Sequence, residues 1–477
     1  MATRDYDVIV IGAGPTGENV AARTVRGGLR TVIVESELVG GECSYWACMP
    51  SKALLRSPQA LAAARAVAGA RQAASGTLDV PATLARRDDF ASHWRDDRQV
   101  HWLDDTHIDL VRGHGRLTGV RRVTVTAADG TTVALTARHA VVLATGTRAA
   151  MPALAGLAGA SPWTSREATT ARAAPRRLVI LGGGVVGCEM ATAWRALGSA
   201  EVTIVQRGPR LVPKIEAFAG EMLAAAFAAR GIAVRVSAEA TGVERRPDGS
   251  VTVVLADGTS LVADQILVAT GRTPNTDDLG LDTVGLAAGG WLAVDSSLRV
   301  TAVAGGWLYA AGDLNHRALL THMGKYQARV CGDVIAARAA GRADGSATVW
   351  SAHADTADER TVPQVIFTDP EIAAVGLSEE EARRRGLRVR AVDYDIGHVA
   401  GARLYADGYA GRARMVVDED RRVIVGLTLV GPAVGEMIHA ATIAVVGEVP
   451  LERLWHAVPS YPTISELWLR LLETYGL

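Results

Sequence analysis

The chain has 477 residues, which is enough for about two to four domains with large apolar cores. Its formal net charge of −1 gives no electrostatic case for nucleic acid or an anionic membrane surface as a partner. No apolar run reaches the roughly 18 residues of a membrane span, and "MIHAATIAVVG" at 437–447 predicts a core helix instead. Because "MATRDYDVIVIGAG" enters a strand almost at once, we predict a cytoplasmic protein without a signal peptide.

The first predicted elements are a strand, a glycine turn, a helix and a second strand, at 8–36. The turn has the form G-x-G-x-x-G, with glycines at positions 12, 14 and 17. In dinucleotide-binding folds these glycines allow a tight turn, close approach to a pyrophosphate, and close helix–strand packing. Glu35 ends the second strand, where a carboxylate can bond the ribose of an adenosine. This unit therefore suits a nucleotide without a 2′-phosphate.

A cysteine pair follows in "GGECSYWACMPSK" at 40–52, which contains Cys43, Cys48 and Lys52. The other two cysteines, Cys188 and Cys331, stand alone and are interpreted as buried apolar residues. Four cysteines are too few for a disulfide scaffold, and zinc needs a second close pair, so no metal site is predicted. The pair therefore indicates redox chemistry. It stands at the start of a predicted helix with Lys52 nearby, and both the helix dipole and the lysine charge lower a thiol pKa.

The chain then reads as helices over 60–110 and as a strand and hairpin over 113–137. The hairpin turn is predicted at Asp129-Gly130. The next strand ends in A-T-G at 144–146, and "DQILVATGRTPN" at 264–275 has the same ending. Such endings mark places where the chain can pass from one nucleotide domain to another.

The first unit is repeated at 178–207, with a second G-x-G-x-x-G turn at Gly182, Gly184 and Gly187. Two such turns, each between a strand and a helix, are a strong indication of two dinucleotide sites. Gln206 replaces the acidic residue, and Arg207 and Arg210 follow it. Guanidinium groups suit a 2′-phosphate, so we predict NADPH, with NADH as the alternative if these arginines are only surface residues.

The remaining sequence predicts three further regions. A strand meander at 246–265 has turns at Asp248-Gly249 and Asp257-Gly258, and "GGWLYAAGDLN" at 305–315 is a strand followed by Gly312 and Asp313. A last domain opens with "VPQVIFTDPEIAAVGL". Its predicted strands alternate with helices and lie near 387–394, 412–418 and 422–430.

With these motifs the whole chain resembles the pyridine nucleotide–disulfide oxidoreductases, FAD flavoproteins that include dihydrolipoamide dehydrogenase, glutathione reductase and mercuric reductase. The resemblance implies an α/β fold with two Rossmann-like dinucleotide-binding domains and a C-terminal α+β dimerisation domain. The implied boundaries are 1–150 and 276–350 for the FAD-binding domain, 151–275 for the NAD(P)-binding domain, and 360–477 for the interface domain. The implied reaction passes a hydride from NAD(P)H through FAD to Cys43 and Cys48, and on to a disulfide substrate. The alternative is a non-disulfide acceptor, such as a quinone or a metal ion.

The resemblance also implies residue roles. Cys48 would lie against the flavin as a thiolate and Cys43 would exchange with the substrate, while Glu189 would pair with Lys52 near the nicotinamide. The implied FAD residues are Gly12, Gly14, Gly17, Glu35, Lys52, Gly115, Gly312, Asp313, Leu320 and Thr321. The implied NAD(P) residues are Gly182, Gly184, Gly187, Glu189, Arg207 and Arg210. The A-T-G segments add Thr145, Gly146 and Gly271 to the cofactor-binding set.

The sequence departs from the family pattern at two places. Tyr45 and Trp46 stand inside the cysteine segment, where small or polar residues are usual, and they serve either packing or access. At the C-terminus the family's H-P-T-x-x-E reads "YPTISE", with Tyr461 and Glu466 in the acid–base positions. Tyrosine is a poor base at pH 7, and His456 is out of register. The resemblance implies a homodimer in which Tyr461 and Glu466 act in trans.

Overall fold

The structure is a computed structural model that describes residues 3–342, 348–357 and 361–477. The predicted first residue of the interface domain, residue 360, lies outside these ranges. The described chain forms two compact units, each made of three segments. The first unit contains 3–49, 88–148 and 272–357, and the second contains 50–87, 149–271 and 361–477. Residues 50–87, which the sequence placed with the FAD-binding domain, thus belong to the second unit.

The strands run in chain order as follows: β1 (Thr3–Ile11), β2 (Thr31–Glu35), β3 (Asp109–Arg112), β4 (His114–Gly119), β5 (Arg122–Thr126), β6 (Thr132–Leu143), β7 (Thr147–Ala149), β8 (Arg177–Leu181), β9 (Glu201–Val205), β10 (Ile232–Arg235), β11 (Ala240–Arg245), β12 (Val251–Leu255), β13 (Ser260–Ala263), β14 (Gln265–Val268), β15 (Arg272–Pro274), β16 (Leu308–Ala310), β17 (Pro363–Ile366), β18 (Glu371–Gly376), β19 (Val389–Asp395), β20 (Arg412–Asp418) and β21 (Val423–Gly431).

The α-helices of the described residues are α1 (Pro15–Arg26), α2 (Gly41–Tyr45), α3 (Cys48–Arg65), α4 (Ala70–Ala73), α5 (Val80–Phe90), α6 (Asp97–Asp105), α7 (Ser165–Thr170), α8 (Val185–Ala196), α9 (Ala217–Ala229), α10 (Thr321–Ala339), α11 (Glu379–Arg384), α12 (Ala400–Tyr405), α13 (Val434–Val446), α14 (Leu451–Leu454) and α15 (Leu467–Tyr475). No helix in these ranges is both long and apolar enough to cross a membrane.

The first unit is built on a sheet in the order β3-β2-β1-β6-β5-β4. The parallel strand β2 and the second halves of β1 and β6 are apolar and mostly buried, as expected when both faces of a sheet are covered. In the edge strand β3 only Val111 is buried. The long β6 pairs with β1 along most of its length, with β5 near its start and with β16 through its last three residues. On this sheet α1 lies against α10, where Arg23 Nε donates to Asp333 Oδ1 at 2.8 Å.

The second unit contains three sheets. A parallel sheet of order β10-β9-β8-β14 carries the second glycine turn, and β11, β12 and β13 form an antiparallel meander. An antiparallel sheet of order β17-β18-β21-β20-β19 packs against α13 and α15. This arrangement buries one apolar stripe of α13 in a core with the sheet, through Val434, Ile438, Ala441 and Val445.

The predicted elements are largely those that form. The helices of 60–110, the hairpin at Asp129-Gly130, the meander at 246–265 and the three late strands are confirmed. The predicted alternation of the late strands with helices is wrong between β20 and β21, which are joined by a tight turn. Asp418 closes this turn because its Oδ1 accepts the backbone N–H groups of Asp420 and Arg421.

Candidate active site and cofactor-binding residues

The first glycine turn requires glycine for steric reasons. Gly12 has φ of +103°, and a Cβ there would lie 2.5 Å from the Ala144 carbonyl oxygen. A Cβ on Gly17 would lie 1.9 Å from the Gly12 oxygen, so α1 packs too closely for any side chain. A Cβ on Gly14 would instead meet no atom within 4 Å, and no side chain caps the start of α1. The turn therefore leaves open space and uncapped helix N–H groups, which suit a pyrophosphate.

Two partly buried carboxylates flank this turn in the first unit. Glu35 accepts the N–H groups of Ala13 and Glu37, each at 2.7 Å, while burial raises its pKa. Asp313 accepts the Thr147 hydroxyl at 2.8 Å, and burial raises its pKa too. Carboxylates held in this way can accept hydrogen bonds from the hydroxyls of a ribose or ribityl chain. The open glycine turn and the two hydrogen-bond-accepting carboxylates therefore fit the FAD predicted from the sequence.

The other predicted residues of the first unit also lie at close approaches or turns. A Cβ on Gly115 would lie 3.0 Å from Val34 Cγ1, and one on Gly312 would lie 2.8 Å from Thr16 Oγ1. Thr145 donates to the Asn275 oxygen at 2.9 Å, and Gly146 accepts the Asn275 N–H at 3.0 Å. Asn275, which no sequence motif indicated, therefore fixes the first A-T-G segment.

The thiol pair, Cys43 and Cys48, lies beside the start of α10. Both cysteines are free thiols and partly exposed, with Cys43 inside α2 and Cys48 as the first residue of α3. Cys48 Sγ lies 3.2 Å from Thr321 Oγ1, and Thr321 is the first residue of α10. A hydrogen bond with Cys48 and then burial raise the Cys43 pKa, whereas the Thr321 hydroxyl and the Lys325 ammonium lower it. The pair thus faces the positive end of a helix dipole and a lysine that sequence motifs did not indicate.

The aromatic residues of the cysteine segment have different environments. Tyr45 is fully buried, its hydroxyl donates to the Val39 oxygen at 2.8 Å, and its own carbonyl accepts the Trp94 Nε1 proton at 3.1 Å. Trp46 remains half-buried, edge-on to Tyr45 with ring centroids 5.6 Å apart. Of the two interpretations of these residues, packing therefore holds for Tyr45.

In the second unit Lys52 and Glu189 form an ion pair. Lys52 Nζ donates to Glu189 Oε2 at 2.7 Å, and the Glu189 side chain is only 4% exposed. The other carboxylate oxygen accepts the Phe367 N–H at 3.0 Å, and the ammonium lies 5.0 Å from the Phe367 ring centroid. The ring and the backbone amide of Phe367, which the sequence did not indicate, thus fix both members of the pair.

The second glycine turn repeats the geometry of the first. Gly182 has φ of +108° and its Cβ would lie 2.3 Å from the Ala269 oxygen, whereas Gly184 again faces open space. A Cβ on Gly187 would lie 2.0 Å from the Gly182 oxygen. Gln206 Oε1 accepts the Gly183 N–H at 2.8 Å, so an amide stands where Glu35 stands in the first turn. Gly271 takes a φ of +147° at the end of the second A-T-G segment.

The two arginines beside the second turn differ in exposure and in hydrogen bonding. Arg207 is exposed. The Arg210 guanidinium donates to the Pro213 oxygen at 2.9 Å, and its buried Nε has no hydrogen-bond partner among the described residues.

The C-terminal pair of the sequence prediction is separated in this chain. Tyr461 is 75% exposed, whereas Glu466 is buried and bonds to Arg470. No hydrogen bond joins Tyr461 to Glu466 in the part of the chain that the structure describes. The intervening backbone is fixed by α12, since a Cβ on Gly401 would lie 2.1 Å from the Thr463 carbonyl carbon. His456 is exposed.

Two dinucleotide turns and a thiol pair at a helix start define the class, a redox enzyme with a flavin and a nicotinamide cofactor. Residues 6–340 match the family model described as pyridine nucleotide-disulphide oxidoreductase, and residues 362–471 match its dimerisation domain. The chain therefore belongs to the pyridine nucleotide-disulphide oxidoreductase family, and the predicted fold class is confirmed.

Related proteins match this chain over nearly its whole length. Dihydrolipoyl dehydrogenase of Thermus scotoductus is 32% identical, over 97% of this chain and 96% of the relative. The crystal structure of LpdA from Mycobacterium tuberculosis is 26% identical with a TM-score of 0.82, covering 98% of this chain and 100% of that chain. The HOCl-induced flavoprotein disulfide reductase RclA of Escherichia coli, solved as a Cu(II) complex, has a TM-score of 0.84. Its identity is 22%, with coverage of 98% of this chain and 99% of that chain, so it supports the fold alone.

These matches confirm the predicted enzyme class. The protein is an FAD-dependent pyridine nucleotide-disulfide oxidoreductase and a homodimer that acts on small molecules. When bound, FAD accepts a hydride from NAD(P)H and supplies two electrons to a disulfide.

Proposed function

We propose that this enzyme reduces a small disulfide with electrons from NADPH, through Cys43 and Cys48. The observation that carries the proposal is the position of the thiol pair, with Cys48 Sγ 3.2 Å from the hydroxyl of the first residue of α10. A helix N-terminus stabilises a thiolate, and Cys48 contacts the first residue of that helix.

The proposed cycle balances as follows. Two electrons and one proton break the Cys43–Cys48 bond and leave a Cys43 thiol and a Cys48 thiolate. Cys43 then loses its proton, attacks a substrate disulfide RSSR, and forms a mixed disulfide while RS⁻ leaves. The Cys48 thiolate attacks Cys43 and re-forms the internal disulfide with release of the second RS⁻. Overall NADPH and one proton reduce RSSR to two RSH.

Lys52 and Glu189 are proposed to serve the nicotinamide end of the reaction. The Glu189 side chain is almost fully buried, and Phe367 contacts both members of the ion pair. These contacts hold the Lys52 ammonium in one place. A fixed positive charge stabilises negative charge that develops on a neighbouring ring system. The FAD and NAD(P) residues predicted from the sequence keep their proposed roles in the two glycine turns.

The proposed nucleotide is NADPH rather than NADH. The Gln206 amide removes the carboxylate that would repel a 2′-phosphate, and the exposed Arg207 is free to reach one. Arg210 is a second candidate contact. Its buried Nε needs a hydrogen-bond acceptor, which a phosphate would supply.

We also propose that the dimer shares its active site, with Tyr461 and Glu466 acting across the subunit interface, and that the enzyme is cytoplasmic. The exposure of Tyr461 in the single chain supports the first proposal, since a residue that works in trans need not contact its own subunit. A chain with only four cysteines, two of which are buried free thiols, suits a reducing compartment.

The test is a screen of NADPH oxidation against glutathione disulfide, lipoamide, other small disulfides and quinones. The expected result is turnover of at least one disulfide that disappears in the Cys43→Ser, Cys48→Ser double variant. Quinone turnover that is unchanged in the double variant, with no disulfide reduced by the native enzyme, would reject the proposal. That outcome would favour the non-disulfide acceptor instead.

A further inference from the structure

A polar cavity lies in the second unit beside the edge strand β19. Its volume is about 530 Å³, which is in the range of small-molecule sites. Tyr394, Asp395, His398 and Arg412 are among the described residues that line it, and none of the lining residues belongs to the predicted catalytic or cofactor-binding set. We propose that this cavity binds a small zwitterion, of the class of α-amino acids with an aromatic side chain.

The first step is the arrangement of two opposite charges. The register of β19 and β20 places Asp395 directly opposite Arg412. The Cβ atoms of such a pair lie about 4.5–5.5 Å apart. The two side chains nevertheless bond elsewhere. Arg412 Nη2 donates to Asp393 Oδ2 at 2.7 Å, and Asp395 Oδ1 accepts the Gly397 N–H at 2.8 Å. A carboxylate and a guanidinium therefore line the cavity side by side without bonding to each other.

The second step is the fixed position of the Arg412 guanidinium. Its Cζ lies 4.8 Å from the centroid of the Phe218 ring, and Asp393 holds one of its nitrogens. Its Nε and Nη1 groups have no hydrogen-bond partner among the described residues. Asp393 also accepts two hydrogen bonds from Arg414, one on each oxygen, at 2.8 Å. Arg412 thus presents free donors in a fixed geometry, as a carboxylate ligand requires.

The third step is the apolar part of the lining. Tyr394 and His398 meet edge to face, with ring centroids 6.3 Å apart. Tyr409 is buried, and its hydroxyl donates to the Pro432 oxygen at 2.8 Å, so it offers a ligand only its ring. Met222 of α9 adds a thioether to the same cavity. Aromatic rings and a flexible thioether suit the packing of an aromatic side chain.

The two charges select the ligand class. A simple anion that reaches Arg412 would also meet the Asp395 carboxylate, and a simple amine that reaches Asp395 would also meet the guanidinium. An α-amino acid carries a carboxylate and an ammonium on the same carbon atom. Its carboxylate can therefore bond Arg412 while its ammonium bonds Asp395, with both charges compensated.

The experiment is isothermal titration calorimetry of the FAD-loaded enzyme with three related molecules. L-phenylalanine has both charges, 3-phenylpropionate lacks the ammonium, and 2-phenylethylamine lacks the carboxylate. L-phenylalanine is expected to bind with a Kd of about 1 mM or tighter. Each analogue is expected to bind at least about tenfold more weakly, because it lacks one charged hydrogen bond and leaves one charge of the cavity unpaired.

Two variants assign each charge to its residue. Arg412→Met leaves Asp393 its two hydrogen bonds from Arg414, and Asp395→Asn keeps an oxygen for the Gly397 N–H, so both variants should fold. Each should weaken L-phenylalanine binding at least about tenfold. Arg412→Met should not weaken 2-phenylethylamine, and Asp395→Asn should not weaken 3-phenylpropionate, since each analogue lacks the group that the lost charge would bond.

Arg388→Met and Asp420→Asn are the matched controls. These exposed residues form an ion pair just beyond the other end of β19 and β20, and neither lines the cavity. Both variants should bind L-phenylalanine as the native enzyme does. Flavin content and thermal unfolding of every variant exclude misfolding as the cause of a lost affinity.

No heat of binding up to about 10 mM L-phenylalanine would overturn the inference. Equal affinities for L-phenylalanine and 3-phenylpropionate would also overturn it, because they would indicate a site for anions only. Native affinity in Arg412→Met or Asp395→Asn would place the binding outside this cavity. Because calorimetry requires no turnover, the result does not depend on whether the enzyme reduces a disulfide.

Discussion

At the scale of single residues, the candidate functional residues of each unit include groups that a motif identifies and groups that only tertiary packing identifies. Cys43, Cys48 and Lys52 stand in one short segment and were predicted from it. Lys325 and Phe367 are distant in sequence and carry no spacing that indicates chemistry. In the first unit, α10 starts at the thiol pair and carries Lys325. In the second unit, the Phe367 amide bonds Glu189. Single-sequence reasoning cannot supply such contacts, since they depend on which elements pack together.

The buried Glu18 carboxylate predicts a pH-dependent stability. Its folded pKa of about 7 exceeds the ordinary carboxyl pKa of 4.5, so the folded state holds the proton more tightly. The stabilisation is complete below about pH 4.5 and is lost as the pH rises through 7. Glu18→Gln should therefore stabilise the enzyme relative to native by about 1–3 kcal/mol at pH 8, and much less at pH 5. Thermal unfolding at the two pH values measures the difference, and an equal shift at both would contradict the burial argument.

The Lys52–Glu189 pair predicts an order of stabilities. Lys52→Met leaves a carboxylate that is 4% exposed without its charge partner, which costs about 3–5 kcal/mol in comparable buried pairs. The double variant Lys52→Met, Glu189→Gln removes that charge and keeps an acceptor for the Phe367 N–H. Its melting temperature should lie above that of Lys52→Met. The reverse order would show that the ion pair is not the main interaction of Glu189.

At the scale of elements, the sequence predicts best where backbone geometry restricts residue type. The two glycine turns were predictable because the close approaches at their first and third glycines exclude every other residue. The β20–β21 turn was not, because it contains no glycine or proline and depends on the Asp418 carboxylate and on Arg422 at φ of 52°. The Ala- and Arg-rich segment was predicted to be helical, but the unit to which residues 50–87 belong was not predicted. Their membership of the second unit depends on tertiary contacts, which the local sequence does not encode.

The loop after strand β9, which contains Gln206 and Arg207, predicts a preference for NADPH over NADH. NADPH should exceed NADH in kcat/KM, and Arg207→Ala should remove most of the difference. Loss of a charged phosphate contact is worth about 1.5–3 kcal/mol, or roughly ten- to a hundredfold. Arg246→Ala, an exposed arginine in another loop of the same unit, is the matched control and should leave the preference intact. Equal use of both nucleotides by the native enzyme would show that Arg207 is only a surface residue.

At the scale of the whole molecule, the single chain leaves apolar side chains exposed in its last segment. Ile443 is 59% exposed and Val458 is 85% exposed, beside the 75% exposed Tyr461. The predicted core helix α13 is thus only half covered by its own sheet, and a second subunit is the expected cover for such residues.

Introducing charge on this surface should separate the subunits. Ile443→Asp and Val458→Asp are expected to shift the mass at micromolar concentration from a dimer toward the 50.0 kDa single chain. Val120→Asp, at an apolar side chain 60% exposed in the first unit, should remain dimeric. Light scattering after size exclusion measures all three. A native monomer that is fully active would refute both the dimer and the proposed shared site.

The most direct test of the central claim is a count of thiols after one equivalent of NADPH. The oxidised FAD-loaded enzyme is mixed anaerobically with NADPH, then denatured in excess iodoacetamide and mapped by mass spectrometry. Cys188 and Cys331 are labelled with or without NADPH, because both are free and merely buried in the fold. The account predicts that NADPH adds two labels, at Cys43 and Cys48. A flavin that loses its colour while Cys43 and Cys48 remain joined would contradict it.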